Sequence, residues 1–195
     1  MNRLNRYAAS GAIWGPAWFI ASWVTGGLRT NGYSPVQDAI SRLAAVEADT
    51  SGLMNTGFVA YGVGVTAAAW PLRTVIGKPA AAALAINALL TFGVLATPLD
   101  KSETVDQLHT VFAGAAYAAL AAAGLLAARH LAKNGHPLAS KAAAAVGSIT
   151  GLSLFAVVFD VSSGLFQRIG LTTSDLAMMG AAIVYLRKAN GSNAG

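Results

Sequence analysis

The chain has 195 residues, 55% of them hydrophobic and only 11% charged, with a net charge of +5 and a mean hydropathy of +0.54. Soluble domains carry about 25% charged residues, so this composition excludes an ordinary globular protein and points to an integral membrane one. There is no cysteine, which excludes disulfides and thiolate chemistry. The positive charge reads as loop asymmetry across a membrane, so no nucleic-acid partner is expected.

Arg3 and Arg6 precede an uncharged run over 8–28. The run is too long for the apolar core of a signal peptide, and no clear A-x-A site follows it. It is therefore expected to be retained as the first span. Trp14, Trp18, Phe19 and Trp23 recur along it at about four-residue spacing. They suit an interfacial belt, core packing or one wall of a pocket. Gly11 and Gly15 form a small-xxx-small pair that lets another helix approach closely.

Residues 29–51 form the longest loop, with turn signals at Asn31-Gly32 and Ser34-Pro35. Ser34 before Pro35 predicts the cap of a short surface helix, on which Asp38 and Arg42, four apart, can pair. Further spans are predicted over 52–76, 79–97, 107–129, 141–166 and 172–188, all in one domain, 1–195. His109 opens the fourth, after an acidic loop holding Asp100, Glu103 and Asp106. Residues 167–173 read as a tight connection containing Arg168. Asp175 is expected in the first turn of the sixth span, where a carboxylate favours the helix dipole. His130 and His136 are expected to be solvated at the other side.

The expected fold is thus all-α: a polytopic six-helix transmembrane bundle with both termini on one side. Nine of the thirteen basic residues (Arg3, Arg6, Arg73, Lys78, Arg129, Lys133, Lys141, Arg187 and Lys188) fall on the terminal side. By the positive-inside rule both termini are expected to be cytoplasmic, in a bacterial inner membrane. All eight acids fall on the other side or in the outer half of a span, a division the rule does not require.

Asp160 is the acid that stands out. It interrupts a nearly uniform apolar run, and a charge at the centre of a spanning helix costs about 2.5–3.5 kcal/mol on insertion scales. At helical period it shares a small, polar face with Ser153, Ala156, Ser163, Gly164 and Gln167, beside Phe155, Phe159 and Phe166. It is a structural acid paired with Arg168 or a neighbouring helix, or it is functional. Arg168 stands eight residues on, about 12 Å along the axis, which is a long reach for its side chain. Asp38, Arg42, Asp106, His109, Asp160, Arg168 and Asp175 converge on the outer half. One histidine among scattered acids is a weak metal signature, so neither metal nor cofactor is expected.

Three stretches carry a resemblance: GYSPVQDAISRLAA at 32–45, TPLDKSETVDQLHTVFAG at 97–114 and GLFQRIGLTTSDL at 164–176. They resemble the signatures of a widespread bacterial family of small six-helix membrane proteins, catalogued as domain of unknown function number nine-nine-eight. The resemblance spans nearly the whole chain and implies a six-helix bundle without an agreed activity. Asp38, Ser41, His109 and Arg168 fall within those stretches. In architecture and chemistry the chain is also similar to small integral-membrane terpene cyclases, compact helical bundles with buried acids and many aromatics. No motif of theirs aligns residue by residue.

The leading reading is a membrane-bound terpene cyclase that starts by protonating a hydrophobic, isoprenoid-like or prenylated small molecule. Such chemistry needs a carboxylic acid kept protonated, which an apolar site achieves because burial disfavours the ionised form. It also needs aromatic faces to stabilise carbocations and a dry cavity. Asp160, Asp38, His109 and Arg168 are the expected catalytic set. Trp14, Trp18, Tyr61, Phe112, Phe155 and Phe159, with Asp106, Asp175 and Arg42, are the expected substrate wall. A small proton-coupled transporter would use the same acid in a polar path through both leaflets. A scaffold or accessory subunit would use Gly11–Gly15, Gly147–Gly151 and the Ala-rich fourth span against partners, a second copy included. Membrane lipid is a partner in every case.

Overall fold

The computed structural model describes residues 3–159 and 161–191, so Asp160 lies outside the described residues. Six helices run through it: α1 (Arg3–Arg29), α2 (Ser51–Ile76), α3 (Lys78–Ala96), α4 (Glu103–Lys133), α5 (Pro137–Val158) and α6 (Ser163–Gly191). No strand occurs among the described residues. Helices α2 to α6 are each long and apolar enough to cross a membrane. Helix α1 has the length, 27 residues, but its tryptophans, glycines and Pro16 dilute its hydropathy. The protein is a six-helix transmembrane bundle.

Local chemistry sets the turns. Gly77, at φ 88°, reverses the chain between α2 and α3 in a conformation side chains disfavour, and Pro79 then starts α3 without a wasted N–H. The hydroxyl of Ser102 caps α4 by accepting from the Val105 N–H at 3.3 Å. Pro137 opens α5.

Each helix packs on its chain neighbour, and α1 also packs on α6, so the bundle closes as a ring. The tightest seam joins α1 to α2. A methyl group placed on Gly15 would lie 2.8 Å from the Ala60 carbonyl oxygen, and Gly11 and Gly64 face each other with no room for any side chain. The small-xxx-small pair read from the sequence therefore serves contact inside the chain. Gly147 of α5 is used in the same way against Gly124 of α4. Along the first seam Gly11 meets Gly64 while Gly26 meets Thr50, so α1 and α2 are antiparallel. The terminal end of the bundle thus also carries the end of α2, the α4–α5 connection and the end of α6.

Three boundaries differ from the sequence expectation. The fifth span was expected to run to residue 166, but α5 stops at Val158 and α6 starts at Ser163. Hydropathy alone hides this break, because the apolar run continues through it. The chain turns there because the long loop competes for its backbone. The Leu165 N–H donates to the Val36 carbonyl at 2.9 Å, and the Ser163 hydroxyl to that of Gln37 at 2.9 Å. Arg168 consequently sits in a helix and not in a connection. Asp175 lies twelve residues into α6, about 18 Å along it, and not in a first turn. The loop also forms a 3-10 turn over Ile40–Ala44 in place of a helix started by Ser34-Pro35. There Arg42 pairs with Asp100, at 2.9 Å, and not with Asp38.

Candidate functional site

At the end opposite the termini, the long loop is clamped to the start of α6. The Asp38 carboxylate accepts from the Ser34 N–H at 2.7 Å, closing the loop on itself. Arg168 is buried beneath it. Its Nη1 donates among the carbonyls of Pro35 at 2.7 Å, Gly164 at 2.8 Å and Asp38 at 3.0 Å. Its Nη2 donates to the Tyr33 hydroxyl, and the guanidinium carbon lies 5.2 Å from the centre of the Trp23 ring. Gln167 adds a bond from the Ile40 N–H to its side-chain oxygen, at 2.7 Å. Burial pushes the Tyr33 hydroxyl up from its ordinary range, against the opposing pull of the Arg168 guanidinium. Every contact Arg168 makes here is to backbone, hydroxyl or ring, so the described guanidinium fixes the loop without neutralising an acid.

Below the clamp lies a polar interior. The Tyr61 hydroxyl donates to Asn87 Oδ1 at 2.8 Å, and Asn87 Nδ2 donates to the Ala116 carbonyl at 2.9 Å, tying α2, α3 and α4 together. The Tyr117 hydroxyl donates between the Gln167 and Phe166 carbonyls, at 3.1 and 3.2 Å, which holds α4 to α6. Thr150 and Ser174 share a hydrogen bond at 2.7 Å between α5 and α6. Asp175 lies in the same interior, on the α6 turn that follows Ser174, and is 1% exposed. Neither of its carboxyl oxygens has a hydrogen-bond partner among the described residues. A buried carboxyl in that condition is costly unless something else satisfies it.

Two cavities lie along α6 on either side of Asp175, which itself lines neither. A small one, about 60 Å³, is lined by Phe19, Phe58, Tyr61, Asn87, Tyr117 and, four residues before Asp175, Leu171. A large one, about 890 Å³, lies toward the terminal end among α4, α5 and α6, with Thr74, Val75 and Ile76 of α2 and Leu84 of α3 completing its lining, and includes Ser174 and Met178, the residues one before and three after Asp175. Its walls are mostly apolar and small: Ala123, Gly124, Ala127, Ala143, Ala177 and Ala181 leave the space that larger side chains would fill. At its mouth stand His130, His136 and Lys188.

Residues 13–184 match the model of the DUF998 family, described as a protein of unknown function. The chain belongs to this family. No curated protein and no solved structure matches it.

In this DUF998 protein the residues singled out by sequence are dispersed. Asp38 and Arg168 meet, though through the Asp38 backbone carbonyl. Tyr61 lines the small cavity, and Phe112 packs beside the core over Gly93. His109 is buried, with Nδ1 bonded to the Thr97 carbonyl at 2.6 Å and Nε2 without a partner among the described residues. Asp106 accepts from the Asp100 N–H at 3.0 Å, and Arg42 stays at the surface. Trp14 and Trp18 are half-exposed on the outside of α1, and Trp18 donates to Thr56 Oγ1 at 3.0 Å. Phe155 and Phe159 stack on each other, 4.4 Å between centres, but both are 63% exposed and line neither cavity. No group of three metal-ligating side chains forms among the described residues.

Sequence reading overlooked the terminal-end cavity altogether. His130 and His136 were expected to be merely solvated, yet both border it. The alternation of alanine and glycine on facing helices was a signal for that space, but it reads equally well as close packing. Asp175 was noticed and set too near a helix end, because the start of α6 was misplaced.

Proposed function

We propose that this protein is an intramembrane enzyme acting on a hydrophobic, isoprenoid-like substrate, a proton-initiated cyclase whose acid is Asp175. The supporting observation is the state of that residue: mid-bundle, 1% exposed, both oxygens unpartnered among the described residues, with cavity-lining residues on either side of it in α6. A structural acid would be paired, since an isolated charge in such a place is costly. A neutral carboxylic acid is the species that can hand over a proton.

The chemistry runs as follows. The O–H of Asp175 protonates a carbon–carbon double bond of the bound chain, a C–H bond forms, and the positive charge moves onto the substrate. A second double bond attacks the cation and closes a ring. Loss of a proton from the cyclised cation, back to the carboxylate, gives an isomer of the substrate and restores the acid. Phe19, Phe58, Tyr61 and Tyr117 line the small cavity on one side of Asp175, the aromatic faces nearest the acid, while the apolar walls of the large cavity suit the chain and disfavour the water that would capture the cation. The enzyme is oriented with both termini in the cytoplasm of a bacterial cell, its large cavity opening toward the inner leaflet. The small-residue seams at Gly11, Gly15 and Gly147 are occupied within the chain, which removes the motive for a scaffold. The acid-free terminal half does not supply the polar path of a transporter.

The test is direct. Purified protein in nanodiscs is incubated with geranyl, farnesyl and geranylgeranyl compounds bearing neutral or anionic heads, and products are read as equal-mass species of altered retention. Asp175→Asn should lower the rate at least about 10²–10⁴-fold. Asp160→Asn is run beside it. If the parent converts none of these compounds, the enzyme reading falls; full activity in Asp175→Asn with loss in Asp160→Asn transfers the acid role.

A further inference from the structure

We infer that the large terminal-end cavity is a site for a single-chain isoprenoid phosphate, its tail between α4, α5 and α6 and its phosphate held by His130, His136 and Lys188. The assignment of the tail rests on the reading above; the assignment of the head does not. The cavity, about 890 Å³, lies within the range of about 300–1,000 Å³ typical of small-ligand sites, and like them it is apolar with few polar groups.

Those polar groups are not scattered. His130 lies in the last turn of α4, His136 precedes α5 and Lys188 lies near the end of α6, so three separate segments contribute a nitrogen-bearing side chain to this end of the lining. The His130 ring packs against Gly77, a position where any side chain would collide with it. Among the described residues Lys188 has no carboxylate partner, and the ion pair found there is that of Arg42 with Asp100, at the other end. Arg129, Lys133, Lys141 and Arg187 add positive charge to the terminal end, and no acid stands near the mouth. An apolar tube under a cationic rim is complementary to an amphiphile with an anionic head. A phosphate is favoured over a carboxylate because side chains from three separate segments suit a multiply charged group with several acceptor oxygens. A single chain is favoured over a two-chain lipid by the volume of the cavity, about 890 Å³. Proton-initiated cyclisation breaks no phosphate bond, so head and tail chemistry are compatible.

The experiment measures equilibrium binding of labelled geranylgeranyl phosphate and of geranylgeraniol to the protein in phosphatidylcholine nanodiscs. The parent should prefer the phosphate by about tenfold or more, the sum expected of several partly exposed charge contacts. Lys188→Gln with His136→Gln should bring the two ligands to within about twofold while leaving geranylgeraniol binding unchanged. Both positions are exposed, so folding is not at stake. Lys133→Gln, basic at the same end but outside the cavity lining, should change nothing. Equal binding of alcohol and phosphate by the parent would overturn the head-group assignment, as would an equal loss in Lys133→Gln, which signals only a general surface potential. Displacement of the label by phosphatidic acid in the disc at equal concentration would make the site one for a membrane lipid and overturn the single-chain ligand; inorganic phosphate alone should not compete. Asp175→Asn should bind both ligands as the parent does. A fully active Asp175→Asn with phosphate preference intact would overturn the acid and leave this site standing.

Discussion

Arg168 shows what one residue does in this bundle. Its guanidinium satisfies the carbonyls of Pro35 and Asp38 through partly buried bonds that tie the loop to α6. Each buried acceptor left unmade costs about 1–3 kcal/mol. Arg168→Met is therefore expected to lower stability by about 2–5 kcal/mol and to open the loop over 30–50 to protease, read by thermal unfolding in detergent and limited proteolysis. Arg168→Lys should recover only part, because an ammonium cannot serve the same set of acceptors at once. Tyr33 adds a pH dependence. Its hydroxyl is pushed up in the folded state, so it contributes stability fully below the unfolded value of about 10, and that contribution is lost as pH rises through the folded value. Between pH 9 and 11.5 the unfolding midpoint of the parent should fall more steeply than that of Tyr33→Phe. The sequence marked Arg168 as important and placed Asp38 near it. It could not reveal that the contact runs through backbone carbonyls some 130 positions away, because no side-chain pattern encodes a carbonyl's need for a donor.

At the scale of helices, composition and period revealed most of the architecture and one class of error. Spans two to four were legible to within a few residues, since turn-forming Gly77, Pro79, Ser102 and Pro137 punctuate them. The α5–α6 break was not, because the loop's hydrogen bonds create it. Misreading that boundary displaced Asp175 by most of a half-span and drew attention to Asp160. The seam between α1 and α2 offers a clean test of how tightly elements are specified. Gly64→Val would place two methyl groups where the Gly11 backbone lies, and overpacking of this kind costs about 1–3 kcal/mol or more. The expected outcome is a lower unfolding midpoint and weaker retention of α1, read by cross-linking between cysteines introduced on the two helices. A seam that tolerates valine without change would mean the helices slide freely.

For the whole molecule, charge and connectivity predict an orientation that can be tested. Six helices return the chain to the side on which it began, and the terminal end carries nine basic residues against four at the other. Single cysteines at Asn134 and Ser102, in an otherwise cysteine-free chain, should differ in cells: an impermeant maleimide should label Ser102→Cys and spare Asn134→Cys until the membrane is permeabilised. The reverse would invert the sides and place the large cavity on the outer leaflet.

The clamp between the first loop and the last helix also bears on how the chain is made. Asp38 leaves the ribosome about 130 residues before Arg168, on the order of ten seconds at ordinary elongation rates. Throughout that interval the loop has no guanidinium beneath it, and the ring of helices stands open along one side. The final helix is both keystone and latch: its arrival seals the membrane-facing gap and locks the far loop in the same step. Chains released before that point carry an unsealed flank and an unlatched loop together, two marks by which a membrane protease can tell an unfinished copy from a finished one.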